Sequence, residues 1–259
     1  MSSLLYKKLD IIFTKKLMKT ALSVISIIKR LPLNYIFSYE DLNLKSSNKE
    51  AVIKYLNRLT QSGKIKKISK GKFYKLNDSK FGCLKPPQDQ IVKDLLEKKG
   101  KITGYLTGFS AYNELGLTTQ ISSVITIGKN DIRPKLKRGI YNIHFVKQKN
   151  KITRKNIYLL KILDSIRNIK KIPDSSINKS CQRFLWIIKS LDCNELESLI
   201  KLAFKYTPAT RALLGALVET SGVKVRNLDD LRKSLNPIST YQLTVSKKIL
   251  PKAKNWNIK

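Results

Sequence analysis

The residues best suited to a chemical task lie between positions 47 and 72, where basic and amide side chains are dense. Such side chains can donate hydrogen bonds to phosphate oxygens or reach base edges in a major groove. A solvated basic surface, or one that contacts protein, is the alternative. We predict a nucleic-acid contact. The candidate DNA-binding residues are Ser47, Lys49, Lys54, Asn57, Arg58, Lys64, Lys66, Lys67, Lys70 and Lys72.

Two helices are predicted to position the first half of this set. Ser38 can cap a short helix, because an acid, Asp41, follows it three residues later. The same signal at Ser47 precedes a longer helix over residues 48–62, which Gly63 ends.

The longer helix has an apolar face and a polar face. Val52, Leu56 and Leu59 recur at helical spacing, so they should pack on the preceding helices. The opposite face is polar and would enter the DNA groove as a recognition helix. It carries Ser47, Lys54, Asn57, Arg58 and Gln61.

A β-hairpin is predicted to carry the lysines that follow. Residues 64–68 and 72–76 are short strands around Gly71, and their ammonium groups suit phosphate or minor-groove contact. An apolar helix over 17–31 and an extended segment at 35–37 precede the two capped helices. The order helix, strand, helix, helix, hairpin is that of a winged helix-turn-helix.

The overall charge also favours a polyanionic partner. The 259 residues carry a formal net charge of +34, with a pI near 10.1. Lysine far outnumbers arginine and the excess runs along the whole chain, as codon bias in an AT-rich genome would produce. Only the concentration of lysines in the hairpin is therefore specific.

Metal, cofactor and membrane binding are not expected. His144, the one histidine, alternates with apolar neighbours and should lie on the solvent side of a strand. Cys83, Cys181 and Cys193 lack metal-ligand spacing and indicate reduced thiols in a cytoplasmic protein. No apolar run approaches the roughly 20 residues that cross a bilayer. We assign no catalytic residue, metal or cofactor.

The predicted fold class is α+β, in three segments. Residues 1–80 form the winged helix-turn-helix domain with an N-terminal helical extension, residues 81–150 a mixed α+β middle segment, and residues 151–259 a helical region packed with the middle segment as one domain. The middle segment should contain helices at 90–99 and 110–115, strands at 123–127 and 142–147, and a basic loop at 129–138. The last region should contain helices at 157–169, 179–191, 195–206, 208–220 and 229–235, and then a polar basic tail.

Three groups of residues resemble a known family. The first comprises residues 36–42, 56–59, 63–65 and 70–74; the second is residues 107–120, which begin Thr-Gly and end Leu-Gly-Leu-Thr-Thr-Gln; the third, residues 207–217, contains Pro-Ala-Thr-Arg-Ala-Leu-Leu-Gly-Ala. Over roughly residues 20–220 the chain resembles AbiEi-type antitoxins of bacterial type IV toxin–antitoxin and abortive-infection operons.

This resemblance implies a DNA-binding repressor with an antitoxin function. The winged helix would bind double-stranded operator DNA of its own operon, and the C-terminal region would counter a nucleotidyltransferase-type toxin without a stable complex. The family often has arginine around the turn of the wing, where this chain has lysine. Because lysine lacks a bidentate fork, wing contacts here should be largely independent of base sequence.

Two other functions remain open. A nuclease needs carboxylates that converge on Mg²⁺ with a lysine nearby; Glu97 and Lys99 have acid-x-Lys spacing, but at the end of a predicted amphipathic helix, so we do not expect an enzyme. An RNA-binding protein usually presents aromatic platforms, yet Phe73 and Tyr74 are adjacent, so only one can face outward. Arg211 fits a structural ion pair or a contact between domains as well as it fits an anion site.

Overall fold

The computed structural model describes residues 21–44, 49–76, 78–79 and 82–259, with the backbone alone for 78–79 and 82–83. The chain divides into two compact units, one that ends at Lys93 and one that begins at Asp94. Helices and strands mix in both units, so the fold class is α+β, as predicted. The predicted domain limits near residues 80 and 150 stay predictions.

The N-terminal unit has the predicted order of elements. Residues 21–30 are helical (α1), and the expected second helix is a single 3-10 turn, Glu40–Leu42. The remaining elements are β1 (Ile36–Ser38), α2 (Lys49–Gln61), β2 (Ile65–Ser69), β3 (Lys72–Lys75), the paired strands β4 (Asp78–Ser79) and β5 (Gly82–Cys83), and α3 (Gln88–Ile91). Strands β1, β3 and β2 form an antiparallel sheet in that order.

One apolar core joins these elements. The predicted inner face of α2 is buried, and Leu56 is fully inaccessible to solvent. Burying a leucine or phenylalanine side chain contributes roughly 1.5–3 kcal/mol, so this cluster fixes α2 against the sheet. Its members are Val24, Ile28, Phe37, Leu42, Val52, Leu56, Leu59, Ile65 and Phe73.

The C-terminal unit combines a four-stranded sheet with a bundle of helices. The sheet order is β10-β11-β9-β8, and only the central pair, β9 and β11, is parallel. Helix α9 packs against α6, α7, α8 and α10. The elements are α4 (Lys93–Leu96), β6 (Glu97–Lys98), β7 (Lys101–Ile102), β8 (Gly104–Thr107), α5 (Phe109–Glu114), β9 (Val124–Lys129), β10 (Leu136–Arg138), β11 (Tyr141–Lys147), α6 (Ile157–Arg167), α7 (Ile177–Ser190), α8 (Cys193–Ala203), α9 (Pro208–Ser221) and α10 (Leu228–Lys233).

Most of the predicted elements of this unit are present, with shifts of a few residues at their ends. Within the described part of the chain, no helix has both the length and the apolar character needed to span a membrane.

The predicted helix over residues 90–99 is correct only in part. Two helices of four residues stand there instead, and the chain then turns back as the hairpin of β6 and β7. Lys99 and Gly100 both have positive φ, 49° and 76°. Two such residues form the tight turn that joins antiparallel strands, so the backbone at Gly100 reverses direction where we expected a helix to end.

The predicted basic loop at 129–138 is also partly wrong, because its last residues form β10. Arg138 is buried there, and its guanidinium donates two hydrogen bonds to the Asp94 carboxylate, at 2.6 and 2.8 Å. A bidentate pair of this kind satisfies a buried cation. The ion pair therefore holds the edge of the sheet against α4.

The predicted polar tail is a packed segment. Leu243, Leu250, Trp256 and Ile258 are buried, and Tyr241 forms a parallel bridge with Ile258. The lysines of this segment are exposed and alternate with the buried residues, so the composition of the segment alone predicted a polar tail.

Trp256 anchors this segment to α9. Its ring lies directly over Gly215, where a Cβ atom would overlap the ring. The indole N–H donates a hydrogen bond of 2.7 Å to Glu219, which also accepts from Asn255 and Arg232. The absence of a side chain at Gly215 therefore leaves the space in which the Trp256 ring of the C-terminal segment packs.

We predict that Gly215→Ala destabilises the protein by about 1–3 kcal/mol, because the added methyl group must displace the Trp256 ring. Urea unfolding of the full chain measures this loss. The matched double variant Gly215→Ala with Trp256→Ala should lose less than the sum of the two single variants, since the overlap is then absent. If the two losses of stability were strictly additive, the contact between Gly215 and the Trp256 ring would not be the cause of the destabilisation.

Candidate nucleic-acid interface

The outer face of α2 is exposed, as the periodicity predicts. Lys54, Asn57 and Arg58 all lie in solvent, opposite the buried Val52 and Leu56. Because the apolar side of α2 is fixed in the core, these polar side chains project from a rigid support.

The beginning of α2 adds one further cation. Lys49 is exposed, and its ammonium group lies 5.6 Å from the centroid of the Tyr39 ring, a cation–π distance. Ser47, the first candidate residue, lies outside the described residues. Ser38 does not cap the short turn as predicted, because the residue at the cap position is Tyr39 and no side chain caps it. The Ser38 N–H and hydroxyl instead both donate to the Asp41 carboxylate, at 2.7 and 2.9 Å.

A glycine turn links α2 directly to the hairpin. Gly63 has φ of 71°, a conformation that costs other residues steric strain. The Lys64 N–H donates to the Leu59 carbonyl at 3.0 Å, and the Gly63 N–H donates to the Thr60 carbonyl at 3.1 Å. These bonds close the helix end and start β2 at a fixed distance from α2.

The hairpin projects adjacent lysines because β2 contains a bulge. Its register shifts between Lys67 and Ser69, so Ile65 and Ile68 are both buried although they lie three residues apart. Strict alternation would place those two isoleucines on opposite faces. Lys66 and Lys67 therefore both lie in solvent.

The remaining lysines of the hairpin surround this pair. Lys64 and Lys70 are exposed, and Lys72 is half-buried. No acidic residue occurs between positions 62 and 76. The local field is therefore positive, and it would attract phosphate groups.

Two residues of α2 were missed as parts of this surface. Glu50, the acid three residues after Ser47 that completes the helix-start signal, was considered only in that role, yet it is exposed and lies one turn before Lys54. Its carboxylate reduces the positive field on the outer face. Ile53 is 39% exposed beside it, an apolar group able to contact a thymine methyl. The helical periodicity that identified Lys54 contains both.

The aromatic residues of the hairpin are not available for stacking. Phe73 and Tyr74 are 4% and 8% exposed, so both pack within the protein. We call the hairpin lysines, Lys64, Lys66, Lys67, Lys70 and Lys72, the lysine surface. Strand β3 offers this surface no aromatic ring for stacking, whereas proteins that bind single-stranded RNA usually depend on such rings.

The residues weighed for metal or nucleophilic chemistry are dispersed. In residues 21–44, 49–76, 78–79 and 82–259, no three His, Cys, Asp or Glu side chains are grouped closely enough to hold a metal. Glu97 faces Arg154 at 3.9 Å, and His144 is half-buried on β11, not fully solvent-facing. Burial raises the pKa of the Cys181 thiol to about 12, which keeps it protonated and unreactive.

A buried carboxylate in the C-terminal unit was not anticipated. Asp164 is 2% exposed and accepts hydrogen bonds from Tyr105 at 2.7 Å, Thr107 at 2.8 Å and Tyr206 at 2.9 Å. Gln148 donates to both tyrosine hydroxyls at 2.8 Å. We call these five residues the Asp164 cluster; it ties β8 and the residue after β11 to α6 and the end of α8.

Part of the Asp164 cluster lies in a segment with the family resemblance. Thr107 begins that segment, and it serves here to satisfy Asp164 rather than to contact a ligand. Arg211 also has a structural contact, because its guanidinium donates a hydrogen bond to the Ser234 carbonyl at 3.1 Å. In the sequence, only the Thr-Gly pair that begins residues 107–120 hinted at the Asp164 cluster. Helical periodicity gave no hint, because it cannot distinguish a buried aspartate from an exposed one.

Comparison with known proteins identifies a family and a related fold. Residues 23–196 match a family of unknown function, DUF6088. The crystal structure of the RV2827C protein from Mycobacterium tuberculosis resembles this chain with a TM-score of 0.56 and 12% identity, and the match covers 87% of this chain and 85% of that one. At this identity the likeness concerns the fold alone. No curated protein matches the sequence.

The tyrosines near Asp164 predict a loss of stability in alkali. Burial, with the Asp164 charge as a second cause, raises the pKa of Tyr112 to about 12 and raises the pKa values of Tyr105 and Tyr206 further. An unfolded tyrosine ionises near pH 10. The contribution of these tyrosines to the free energy of unfolding is therefore fully present below pH 10, and it is lost as the pH rises above 10.

Each tyrosine that stays protonated in the folded protein but ionises in the unfolded chain should lower the free energy of unfolding by about 1.4 kcal/mol per pH unit between pH 10 and 12. Urea unfolding from pH 8 to 12 measures the slope. The Tyr112→Phe variant should show a slope smaller by one proton. An unchanged slope would contradict the burial of the Tyr112 hydroxyl as the cause.

Proposed function

The chain belongs to the family of unknown function DUF6088, and we propose that it is a DNA-binding antitoxin that represses its own toxin–antitoxin operon in the cytoplasm. The N-terminal unit is the DNA-binding part, which we interpret as a winged helix-turn-helix. The C-terminal unit is the part that opposes a nucleotidyltransferase-type toxin, with or without a physical contact.

One observation carries the DNA-binding proposal. The outer face of α2 and the bulged hairpin present Lys54, Asn57, Arg58, Lys66 and Lys67 in solvent, while Leu56, Leu59 and Ile65 between them are buried. A rigid helix with polar donors beside a cluster of ammonium groups matches the two needs of a duplex reader, base edges and phosphates.

The mechanism is repression by occupancy of the operator. Helix α2 has 13 residues and is about 20 Å long, and a major groove about 12 Å wide admits such a helix. Asn57 can pair with an adenine edge and Arg58 with a guanine edge. The hairpin lysines bind the neighbouring backbone, and the bound protein excludes RNA polymerase.

The antitoxin role rests on the resemblance of residues 107–120 and 207–217 to AbiEi-type antitoxins. A gene for a nucleotidyltransferase beside this one would support it. Co-expression with that toxin separates the two roles. A chain with Lys66→Gln and Lys67→Gln should still protect cells while it fails to repress the operon, because the substitutions leave the C-terminal unit unchanged.

A nuclease and an RNA-binding protein are the alternatives. The buried Phe73 and Tyr74 favour duplex DNA over single-stranded RNA on the lysine surface. Competition between the two nucleic acids for the same protein distinguishes these readings. Cleavage of plasmid or RNA that EDTA abolishes would instead support the nuclease.

We predict that Lys66→Gln with Lys67→Gln weakens binding to all duplexes by the same factor. If about six phosphates are neutralised, log K falls with log salt at a slope near −5, and the loss of two contacts reduces that slope by about 2. Fluorescence anisotropy across a salt series measures both quantities. The double variant Lys247→Gln with Lys248→Gln removes the same charge from the C-terminal segment and serves as the control.

A salt slope near zero for the unchanged protein would contradict the proposal. An equal effect of both double variants would assign the binding to net charge rather than to the hairpin.

We predict that Asn57→Ala weakens binding to the operator by about 5- to 100-fold, the range for one bidentate base contact, and leaves random duplex nearly unaffected. Arg58→Ala should behave in the same direction. The control Glu50→Gln, on the same face, should strengthen both interactions alike because it removes a repulsive charge. Equal losses on both duplexes with Asn57→Ala would refute base readout by α2.

A further inference from the structure

The C-terminal unit contains a cavity that neither proposed role uses. It lies between the end of α6, the beginning of α9 and the C-terminal segment, and its volume is about 390 Å³. Small-molecule sites in proteins occupy about 300–1,000 Å³. The cavity is therefore large enough for a compact organic molecule.

The rim of the cavity is strongly basic. Arg167, Lys170 and Lys171 line it, and no acidic residue occurs among the described residues of its lining. Lys170 and Lys171 are exposed. Asp164, which is not part of the lining, lies beside Arg167, whereas Lys170 and Lys171 have no carboxylate among the described lining residues and favour an anion.

Arg167 is held in place by the Asp164 cluster. Its guanidinium lies 3.7 Å from the Asp164 carboxylate and 5.7 Å from the centroid of the Tyr206 ring. The side chain is nevertheless 32% exposed. A guanidinium carries five N–H donors, so one edge can rest on Asp164 while others face a second anion.

The first turn of α9 supplies further donors. Thr207 and Thr210 line the cavity, and their hydroxyls share a hydrogen bond of 2.9 Å. The Thr207 side chain makes no capping bond to the helix, so the N–H groups of the first turn keep their capacity for an anion. This helix end faces the same space as Arg167.

The lining also includes a polar group that needs a partner. Tyr241 lines the cavity, and its hydroxyl is buried with no hydrogen-bond partner among the described residues. A buried hydroxyl without a partner is rare in proteins. The floor around it is apolar, formed by Ile166, Leu213, Leu243 and Ile258.

We propose that this cavity binds a small organic phosphate, of the size of a nucleoside monophosphate. The phosphate sits between Arg167, the two lysines and the beginning of α9. The apolar or aromatic body of the ligand lies on the floor, and a polar atom of it satisfies Tyr241. This site goes beyond DNA binding and toxin neutralisation, and it lies wholly within the C-terminal unit.

Isothermal titration of the full chain tests the site with four probes: adenosine 5′-monophosphate, ribose 5-phosphate, inorganic phosphate and adenosine. We expect affinity to fall in that order, with adenosine undetectable, because both the anion and the apolar body contribute. Binding of adenosine as tight as that of its monophosphate would overturn the anion site, and so would heat changes absent for every phosphate.

Two variants tie binding to this cavity. Lys170→Gln with Lys171→Gln should weaken the monophosphate at least tenfold, whereas Lys247→Gln with Lys248→Gln, an equal loss of charge outside the lining, should change it less than twofold. Equal effects would assign the binding to net charge and overturn the proposal. Thermal unfolding without ligand confirms that both variants fold.

Ala209→Glu gives an independent test. Ala209 is exposed, lines the cavity and lies in the first turn of α9, where an acid favours the helix. The new carboxylate should abolish phosphate binding without destabilising the fold. Retained binding would overturn the site.

Competition with duplex DNA distinguishes a free phosphate from a backbone phosphate. We expect DNA to leave monophosphate binding unchanged and Ala209→Glu to leave DNA binding unchanged. If DNA displaces the monophosphate and Ala209→Glu weakens DNA to the same degree, the cavity is a DNA contact and the small-ligand proposal is wrong. DNA binding by Lys66 and Lys67 is measured separately and is unaffected by this result.

Discussion

Scarcity of carboxylates is the constraint on which this structure depends. The chain has 52 lysines and arginines but only 18 acids, so donors far outnumber carboxylates and one acid can serve several of them. Asp164 accepts from three hydroxyls, Glu219 from an indole, an amide and a guanidinium, and Asp94 from both arms of Arg138. Asp164 is buried among its donors, whereas Asp94 and Glu219 accept theirs nearer the surface.

Hydrophobic periodicity was sufficient to predict the orientation of the helical part of the candidate interface. The spacing of Val52, Leu56 and Leu59 identified both faces of α2, and the glycine at 63 identified its end, because these features depend on neighbours in the sequence. The bulge in β2 was not predictable in the same way. It depends on the pairing of β2 with β3 and on the burial of both Ile65 and Ile68, which are properties of the assembled sheet.

The errors have a common physical origin. Residues 90–99 have helical spacing, but the turn at Lys99 and Gly100 and the pairing of β6 with β7 override it. The tail after α10 looks polar because lysines and small polar residues interrupt its apolar residues without helical or strand spacing, yet one tryptophan and a glycine on a distant helix decide its position. Asp164 has the same sequence signature as an exposed acid. Pairing and packing that helical spacing does not encode determine all three, locally in the hairpin of residues 97–102 and over long sequence separations for the tail and Asp164.

The bulge beside Lys66 and Lys67 has a second consequence, for solubility. Strand β2 lies at the edge of its sheet, and an edge strand can pair with a strand of another molecule. An irregular backbone with two protruding ammonium groups is a poor template for that pairing. The features that suit this strand to a polyanion thus also guard the protein against aggregation, so a chain stripped of these lysines would lose both at once.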